Sequence, residues 1–289
     1  MEWVADMLEF IDNLNEWQFY AFITAVFLGL GVFSKGAASV KWSKGKAISG
    51  VVNFAFLKLT FFYSGLFFFA LPLLKSWYGA QGFPQISREF WESVPLPLAA
   101  LALLLVYDFG VYWSHRLLHT SVLWPAHAVH HSDTDMNFLT WSRGHPTEQI
   151  IIASILFLSS TWLGLEVEEV AGLALLRALH QYYVHANLDW DHGPFHYLLV
   201  SPRFHRWHHV DKIEAYDKNF ASIFPFYDKM FGTYYNPHSA FDMPTGIGEH
   251  TPGHNLVALT AWPFMEWGRM IAAKLSSDEK APEAAASET

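Results

Sequence analysis

Eight histidines of this chain fall into three short clusters: His115-Arg-Leu-Leu-His119, His127-Ala-Val-His130-His131 and His205-Arg-Trp-His208-His209. The spacings are three and four residues, so on a helix each cluster projects its rings from one face. Any fold open to this chain must find a use for that many imidazoles in close company. Packed together without a cation, the rings would leave many ring nitrogens buried and unpartnered, which is costly. Packing alone gives no reason to repeat the pattern three times. Imidazole is the commonest metal-binding side chain and suits iron, zinc, copper and nickel. Two or three rings per cluster exceed what one tetrahedral ion can take, so the pattern predicts two neighbouring metal ions.

The remaining histidines carry less. His180, His192, His196, His238, His250 and His254 are isolated and read as hydrogen-bonded core or interfacial residues. His185 closes an apolar run as Val184-His-Ala-Asn187, which makes it a ninth candidate ligand by position. His180 stands five residues earlier, about 140° round a helix, and is a poorer candidate. Whether His180 or Asp189 adds a ligand stays open on spacing alone.

Apolar runs set the surroundings. The chain is 52% hydrophobic and only 16% charged, too apolar for an ordinary soluble domain. A membrane helix needs about 20 residues, with roughly 17 as the lower limit. Runs at 17–33, 50–74 (interrupted by Lys58) and 94–114 meet that requirement. Two shorter runs within 148–184, broken near Gly164, predict a hairpin that either crosses fully or enters part way. The predicted fold class is therefore an all-α integral membrane protein. Four to five membrane-embedded helices would lie under a cytoplasmic helical cap that carries the histidine clusters.

Lysine and arginine placement orients it. Lys35, Lys41, Lys44 and Lys46 lie between the first two runs, which places that loop in the cytoplasm. The acidic N-terminus then faces outward, and all three clusters fall on the cytoplasmic side with Arg116, Arg143, Arg203 and Arg206. That N-terminus lacks the basic start of a cleavable signal peptide, so the first span is expected to persist. Residues 1–93 read as membrane helices with an interfacial loop, and 94–250 as the metal-binding unit. Residues 251–289 read as an amphipathic helix followed by a disordered tail. That helix would lie on the membrane or pack on the cap.

Several chemistries are excluded or disfavoured. The chain has no Cys, so thiolate metal sites, iron–sulfur clusters, disulfides and cysteine nucleophiles are ruled out. A net charge of −9 argues against a nucleic-acid partner. No glycine-rich phosphate loop or dinucleotide fingerprint is present, so reducing equivalents would come from a separate protein. Asp108 lies seven residues before His115 on the same face. An acid in a span is expensive, and this one would either accept a ligand ring's second N–H or bond to a neighbouring helix. Glu148, Asn187 and Asn219 are further polar candidates beside the site.

Eight or nine imidazoles exceed the need of zinc hydrolases, which keep three protein ligands and one open position. Soluble di-iron bundles use mostly carboxylates. A neutral, histidine-rich shell on two metals beside lipid suits oxygen activation against an unactivated C–H bond. Two rival readings are a non-catalytic metal-binding or transport protein and a zinc-dependent membrane hydrolase. A transporter would place its polar residues near the bilayer midplane, whereas these histidines sit at one rim.

The three clusters, in this order and spacing, resemble the fatty acid hydroxylase/sterol desaturase superfamily of membrane di-iron oxygenases. Asp108-Phe-Gly-Val-Tyr-Trp-Ser-His-Arg-Leu-Leu-His119 resembles its first histidine box and His127-Ala-Val-His-His-Ser-Asp-Thr-Asp-Met-Asn137 its second, with Arg143-Gly-His-Pro-Thr-Glu148 as the sequel. His185-Ala-Asn187, Pro202-Arg-Phe-His-Arg-Trp-His-His209, Asp217-Lys-Asn-Phe220 and Asp228-Lys-Met-Phe-Gly-Thr233 follow in family order. The resemblance covers roughly residues 95–235. It implies His115, His119, His127, His130, His131, His185, His205, His208 and His209 as ligands of two irons, which zinc could replace, with O2 as co-substrate. It also implies a lipid-like substrate, a fatty acyl chain, sterol or other membrane lipid to be hydroxylated or desaturated. Electrons would arrive from a separate ferredoxin or cytochrome b5-type protein with its reductase. Some members carry a further histidine four residues before the one matching His185; this chain has Gln181 there. The short boxes suggest a bacterial inner-membrane protein.

Overall fold

A computed structural model describes residues 44–248 and 252–286 except Glu166, together with scattered positions between Gln18 and Leu30. Most of the first predicted span, Lys35, Lys41 and His250 therefore lie outside the described residues. The main helices are α1 (Lys44–Ala80), α2 (Arg88–Glu92), α3 (Leu96–Leu118), α4 (Trp124–His131), α5 (Pro146–Trp162), α6 (Val167–His185), α7 (Pro202–His208), α8 (Phe226–Phe231) and α9 (Leu256–Ala286). Short 3-10 turns at Phe138–Ser142, Gly193–Phe195 and Ile213–Ala215 join them. Among the described residues there is no strand, only a bridge between Val210 and Thr245.

The helices that carry histidines begin where the sequence dictates. Proline occupies the first or second position of α3, α4, α5 and α7, where a missing N–H costs nothing. His145 caps α5, its Nδ1 accepting from the Thr147 N–H at 3.3 Å. Ser201 caps α7, its hydroxyl accepting from the Phe204 N–H at 3.2 Å.

Among the described residues two helices are long and apolar enough to cross a bilayer, Lys44–Phe67 within α1 and Leu96–Leu118. Only 25% and 28% of these stretches is buried within the protein, whereas the core helix of a soluble domain would be mostly covered. Phe62, Leu66, Phe69, Leu96 and Leu98 point outward, an apolar surface that calls for apolar surroundings. Lys58, which interrupts the run in α1, lays its ammonium over the Phe54 ring, 5.3 Å from the centroid. The predicted hairpin comprises α5 and α6, of 17 and 19 residues.

α5 packs against both α1 and α3. Gly110 of α3 makes the second approach close: a Cβ there would stand 2.6 Å from Cγ2 of Ile155. The segment before α3 folds back on the end of α5, where the Ile86 N–H donates to the Trp162 carbonyl at 2.9 Å. Gly164 closes that joint at φ +71°, and a Cβ on it would run into the Ile86 carbonyl oxygen.

Around the histidines a buried core is centred on Tyr112, Val184, Val200, Phe204 and Phe220. α9 seats Leu259 and Trp262 against Val129 of α4 and Val52 and Phe56 of α1, so one of its faces is packed. Val257, Phe264, Met265, Ile271 and Leu275 remain exposed on it. α9 runs on as far as Ala286.

Candidate metal centre

The histidines gather into two adjoining groups. His115 and His119 at the end of α3, His127 and His131 of α4, and His208 of α7 present five ring nitrogens within 4.8 Å of one another. His130 of α4, His185 at the end of α6, and His205 and His209 of α7 and its C-cap present four more, equally close. The sequence expectation of one face per cluster holds only for the pairs four residues apart. In α4, His127 and His131 serve the first group and His130 the second; in α7, His205 and His209 serve the second and His208 the first. Neighbouring residues on a helix are rotated by about 100°, so the His-His dipeptides of the second and third clusters straddle the two groups. The groups touch: the rings of His131 and His209 stack with centroids 4.5 Å apart.

The second nitrogens of four rings, His115, His119, His185 and His208, are hydrogen-bonded to carbonyls or a carboxylate. His115 Nδ1 donates to the Phe220 carbonyl at 2.8 Å and His208 Nδ1 to the Lys218 carbonyl at 2.7 Å. His185 Nδ1 donates to the Gln181 carbonyl, also at 2.8 Å. A carbonyl only accepts, so these rings carry their proton on Nδ1 and turn the Nε2 lone pair toward the cluster. His119 Nδ1 lies 3.2 Å from Asp217 Oδ1, and His127 Nδ1 lies 3.2 Å from Glu148 Oε1.

Within the cluster the geometry suits a cation. Nε2 of His127 lies 3.0 Å from that of His115 and 3.2 Å from that of His131. Nε2 of His205 lies 2.8 Å from that of His185 and 3.2 Å from that of His209. Ligands at about 2.1 Å from a common ion and at right angles to each other stand about 3 Å apart. Nε2 of His119 and of His208 are buried with no hydrogen-bond partner, each an expensive vacancy that a metal would satisfy. Burial, and next the neighbouring rings, hold His127, His130, His131, His205, His208 and His209 well below the ordinary imidazole pKa. His119 is lowered too, by burial opposed by Asp217. Neutral rings are the metal-binding form.

Asp108 acts differently from either sequence reading. Its buried carboxylate accepts from the backbone N–H groups of Ser222 and Ile223 at Oδ1 (3.1 and 2.9 Å) and of Phe224 at Oδ2 (2.7 Å). Asp228 likewise accepts from the Phe220 and Ala221 N–H groups, at 2.7 and 2.8 Å. The two acids thus pin the irregular segment 217–224, whose carbonyls and Asp217 meet three rings. Asn219 lies in that segment at φ +61°, and its amide donates to the carbonyls of Phe204 (2.9 Å) and Tyr235 (2.6 Å). Asn187 accepts at Oδ1 from Arg206 Nη1, 3.5 Å away. His180 bonds to the Val200 carbonyl, Asp189 pairs with Arg203 at 2.9 Å, and Gln181 donates to Ser222; none joins a ring group.

Sequence reasoning gave no role to Asp217, Asp228, Lys218 or Phe220, although two motifs containing them were visible. The polar run directly after the third box was the available signal. It also missed the buried Arg143, which donates to the Val129 carbonyl (3.3 Å), Ser132 Oγ (3.0 Å) and the Gly253 carbonyl (2.7 Å). Arg143 thereby ties the end of α4 to the start of α9. Beside the first group opens a cavity of about 520 Å³ whose wall includes His119, His131 and His208.

Known proteins share this stretch. The fatty acid hydroxylase family model matches residues 100–233. The chain is 37% identical to alkylglycerol monooxygenase of Danio rerio over 44% of its own length and 28% of that protein. It is 28% identical to the ornithine lipid hydroxylase OlsE of Rhizobium tropici over 63% of its length and 55% of that protein. With methylsterol monooxygenase 1 of Gallus gallus it shares 29% identity over 58% of its length and 57% of that protein. The chain thus spans less than two thirds of the length of these curated relatives. No solved structure matches it. The matched residues contain all nine rings of both groups, and over that histidine-bearing segment the chain is similar to the fatty acid hydroxylase family.

Proposed function

We propose that this protein is a membrane-bound di-iron oxygenase that hydroxylates or desaturates a C–H bond of a lipid-like substrate with O2 and external electrons. The single observation that carries the reading is the division of nine buried, neutral rings into one group of five and one of four. One iron would sit on His115, His119, His127, His131 and His208, and the other on His130, His185, His205 and His209. When bound, the irons supply the O2 activation that no side chain of the protein offers. The chain's own residues do the rest. Backbone carbonyls of Lys218, Phe220 and Gln181 fix tautomer and ring direction, Asp217 and Glu148 stand behind two more rings, and burial keeps the rings unprotonated and water out.

The names of the relatives, acting on alkylglycerols, an ornithine lipid and a methylsterol, support a lipid substrate reaching the site from the bilayer. Outward apolar faces on α1 and α3 support the same setting. We further place the ring groups in a cytoplasmic cap over four to five membrane-embedded helices of a bacterial inner membrane, with the N-terminus outside. Electrons would come from a ferredoxin or cytochrome b5-type donor, and residues 94–250 would form the catalytic unit.

The test is metal content and O2 dependence. Protein purified from iron-sufficient cells without chelators is expected to hold about two irons per chain and to consume O2 only with a reductant system and lipid. Two zincs with lipid hydrolysis in the absence of O2 would replace this reading by a hydrolase. One metal or none in folded protein would overturn the dinuclear site.

A further inference from the structure

The cavity beside the five-ring group has a charge pattern that the metal reading uses only in part, through Asp217 beside His119. At its inner end lie His119 and His208, whose buried Nε2 atoms have no partner and face the reacting centre. Trp124 stands against this end, its ring centroid 5.1 Å from that of His119 and 5.2 Å from that of His131. Val210, Ile247 and Trp262 continue the wall as an apolar sleeve. The remaining lining is polar and acidic: Asp211, Asp217, Tyr216 and Ser121. Asp217 is 72% exposed and Tyr216 is exposed, which puts this polar part at the mouth. The Tyr216 hydroxyl donates to Asp211 and orients that carboxylate. No Lys or Arg lines the cavity among the described residues.

Two carboxylates and aromatic rings, with no Lys or Arg in the lining, make a poor seat for a carboxylate or phosphate, even with Lys218 and Arg116 acting on Asp217 from outside the cavity. They make a good one for an ammonium, through charge and cation–π attraction together. We propose that the cavity receives an amphiphile whose polar end is a protonated amine, held at the mouth by Asp211 and Asp217, with its apolar chain directed between Trp124 and Trp262 toward the histidines. Lipids headed by a carboxylate or phosphate are disfavoured at this mouth. The inference rests on reading the histidines as the reacting centre, and it names the substrate class of that same site.

Binding of octylamine, octanol and octanoate to the full chain in neutral phosphatidylcholine nanodiscs at pH 7 tests it, read by tryptophan quenching against empty discs. Octylamine is expected to bind about tenfold more tightly than octanoate, with octanol between. Asp211→Asn combined with Asp217→Asn should bring the three within a few-fold, and Asp211→Lys should favour octanoate. Octanoate or octanol binding as tightly as octylamine to the unaltered protein would overturn the proposal, as would an unchanged preference in folded variants. Metal-free protein serves for these measurements, so the two readings fail separately. An amine preference without iron binding would leave the cavity and remove the oxygenase, whereas two irons with an octanoate preference would do the reverse.

Discussion

Nδ1 of His115 donates to the backbone carbonyl of Phe220 at 2.8 Å, across 105 residues of sequence. Phe220 itself cannot shift freely, because its N–H is held at 2.7 Å by the carboxylate of Asp228. A ring at the end of a helix long and apolar enough to cross a membrane is therefore aimed by a loop that a distant acid fixes. The same loop reaches His208 through the Lys218 carbonyl and His119 through Asp217. Three of the five rings in one group thus depend on a segment that contains no histidine.

Asp228→Asn should expose that dependence. The amide keeps the shape but loses the charge that accepts from Phe220, Ala221 and Thr233. Metal affinity of the five-ring group is expected to fall about 10–100-fold, measured by chelator competition, while the four-ring group keeps its metal. Equal weakening of both groups would show that Asp228 stabilises the cap as a whole.

His208→Ala and His130→Ala should separate the two groups. Each is expected to lower metal content by about one ion per chain and to abolish turnover while membrane insertion persists. The ion lost should differ, since His208 belongs to the five-ring group and His130 to the four-ring group. Undiminished metal and activity in both variants would refute the ligand assignment.

Acidification should unfold the metal-free protein in stages. The buried rings of the two groups have depressed pKa values in the fold, whereas the unfolded chain takes up protons near pH 6.5. Their contribution is present above about pH 6.5 and is lost as pH falls below it toward the depressed values. Asp133 acts at lower pH. Burial pushes its carboxyl up, but Arg143 and the hydrogen bonds from Asn53, Thr140 and Ser49 hold it below its ordinary value. Its contribution is present above about pH 4 and disappears only as pH falls through its lowered value. Melting temperature in detergent should decline from pH 7 to 5 and be less sensitive when metal is bound. A flat profile for the metal-free protein over that range would contradict buried neutral rings.

Gly110→Ala should act through Ile155. A Cβ 2.6 Å from Ile155 Cγ2 forces α3 and α5 apart, at an expected cost of about 1–3 kcal/mol. In an Ile155→Ala background, where Cγ2 is absent, the same change should be near neutral. Identical costs in both backgrounds, in reversible unfolding experiments, would deny the close approach.

Orientation can be read with reporters. A fusion after Gly36 is expected to report cytoplasmic and one after Gly82 external, because the four lysines between the first two runs are expected to stay inside. The reverse pattern would move the ring groups to the other side of the membrane.

Much of the site was legible because the relevant information is local. Helical spacing, apolar run length, absence of cysteine and family motifs identified all nine rings that the fold brings together, along with the helices that present them. His185 was legible only by its place at the end of an apolar run, and His180, Asp189 and Gln181 proved to have other partners. Asp108 was visible as an expensive acid, yet its partners are backbone amides more than 110 residues away.

By itself, then, the sequence determined which side chains could bind metal, that they lie on helices, and that those helices adjoin apolar surroundings. Periodicity and composition are properties of short stretches, so they survive without the fold. Only the tertiary structure decided that the rings divide into five and four, that the loop after the third box aims three of them, and that an acidic, aromatic cavity opens beside His119. Those outcomes depend on how helix rotation and packing direct each side chain, and on contacts between residues far apart in the chain, which no local pattern encodes.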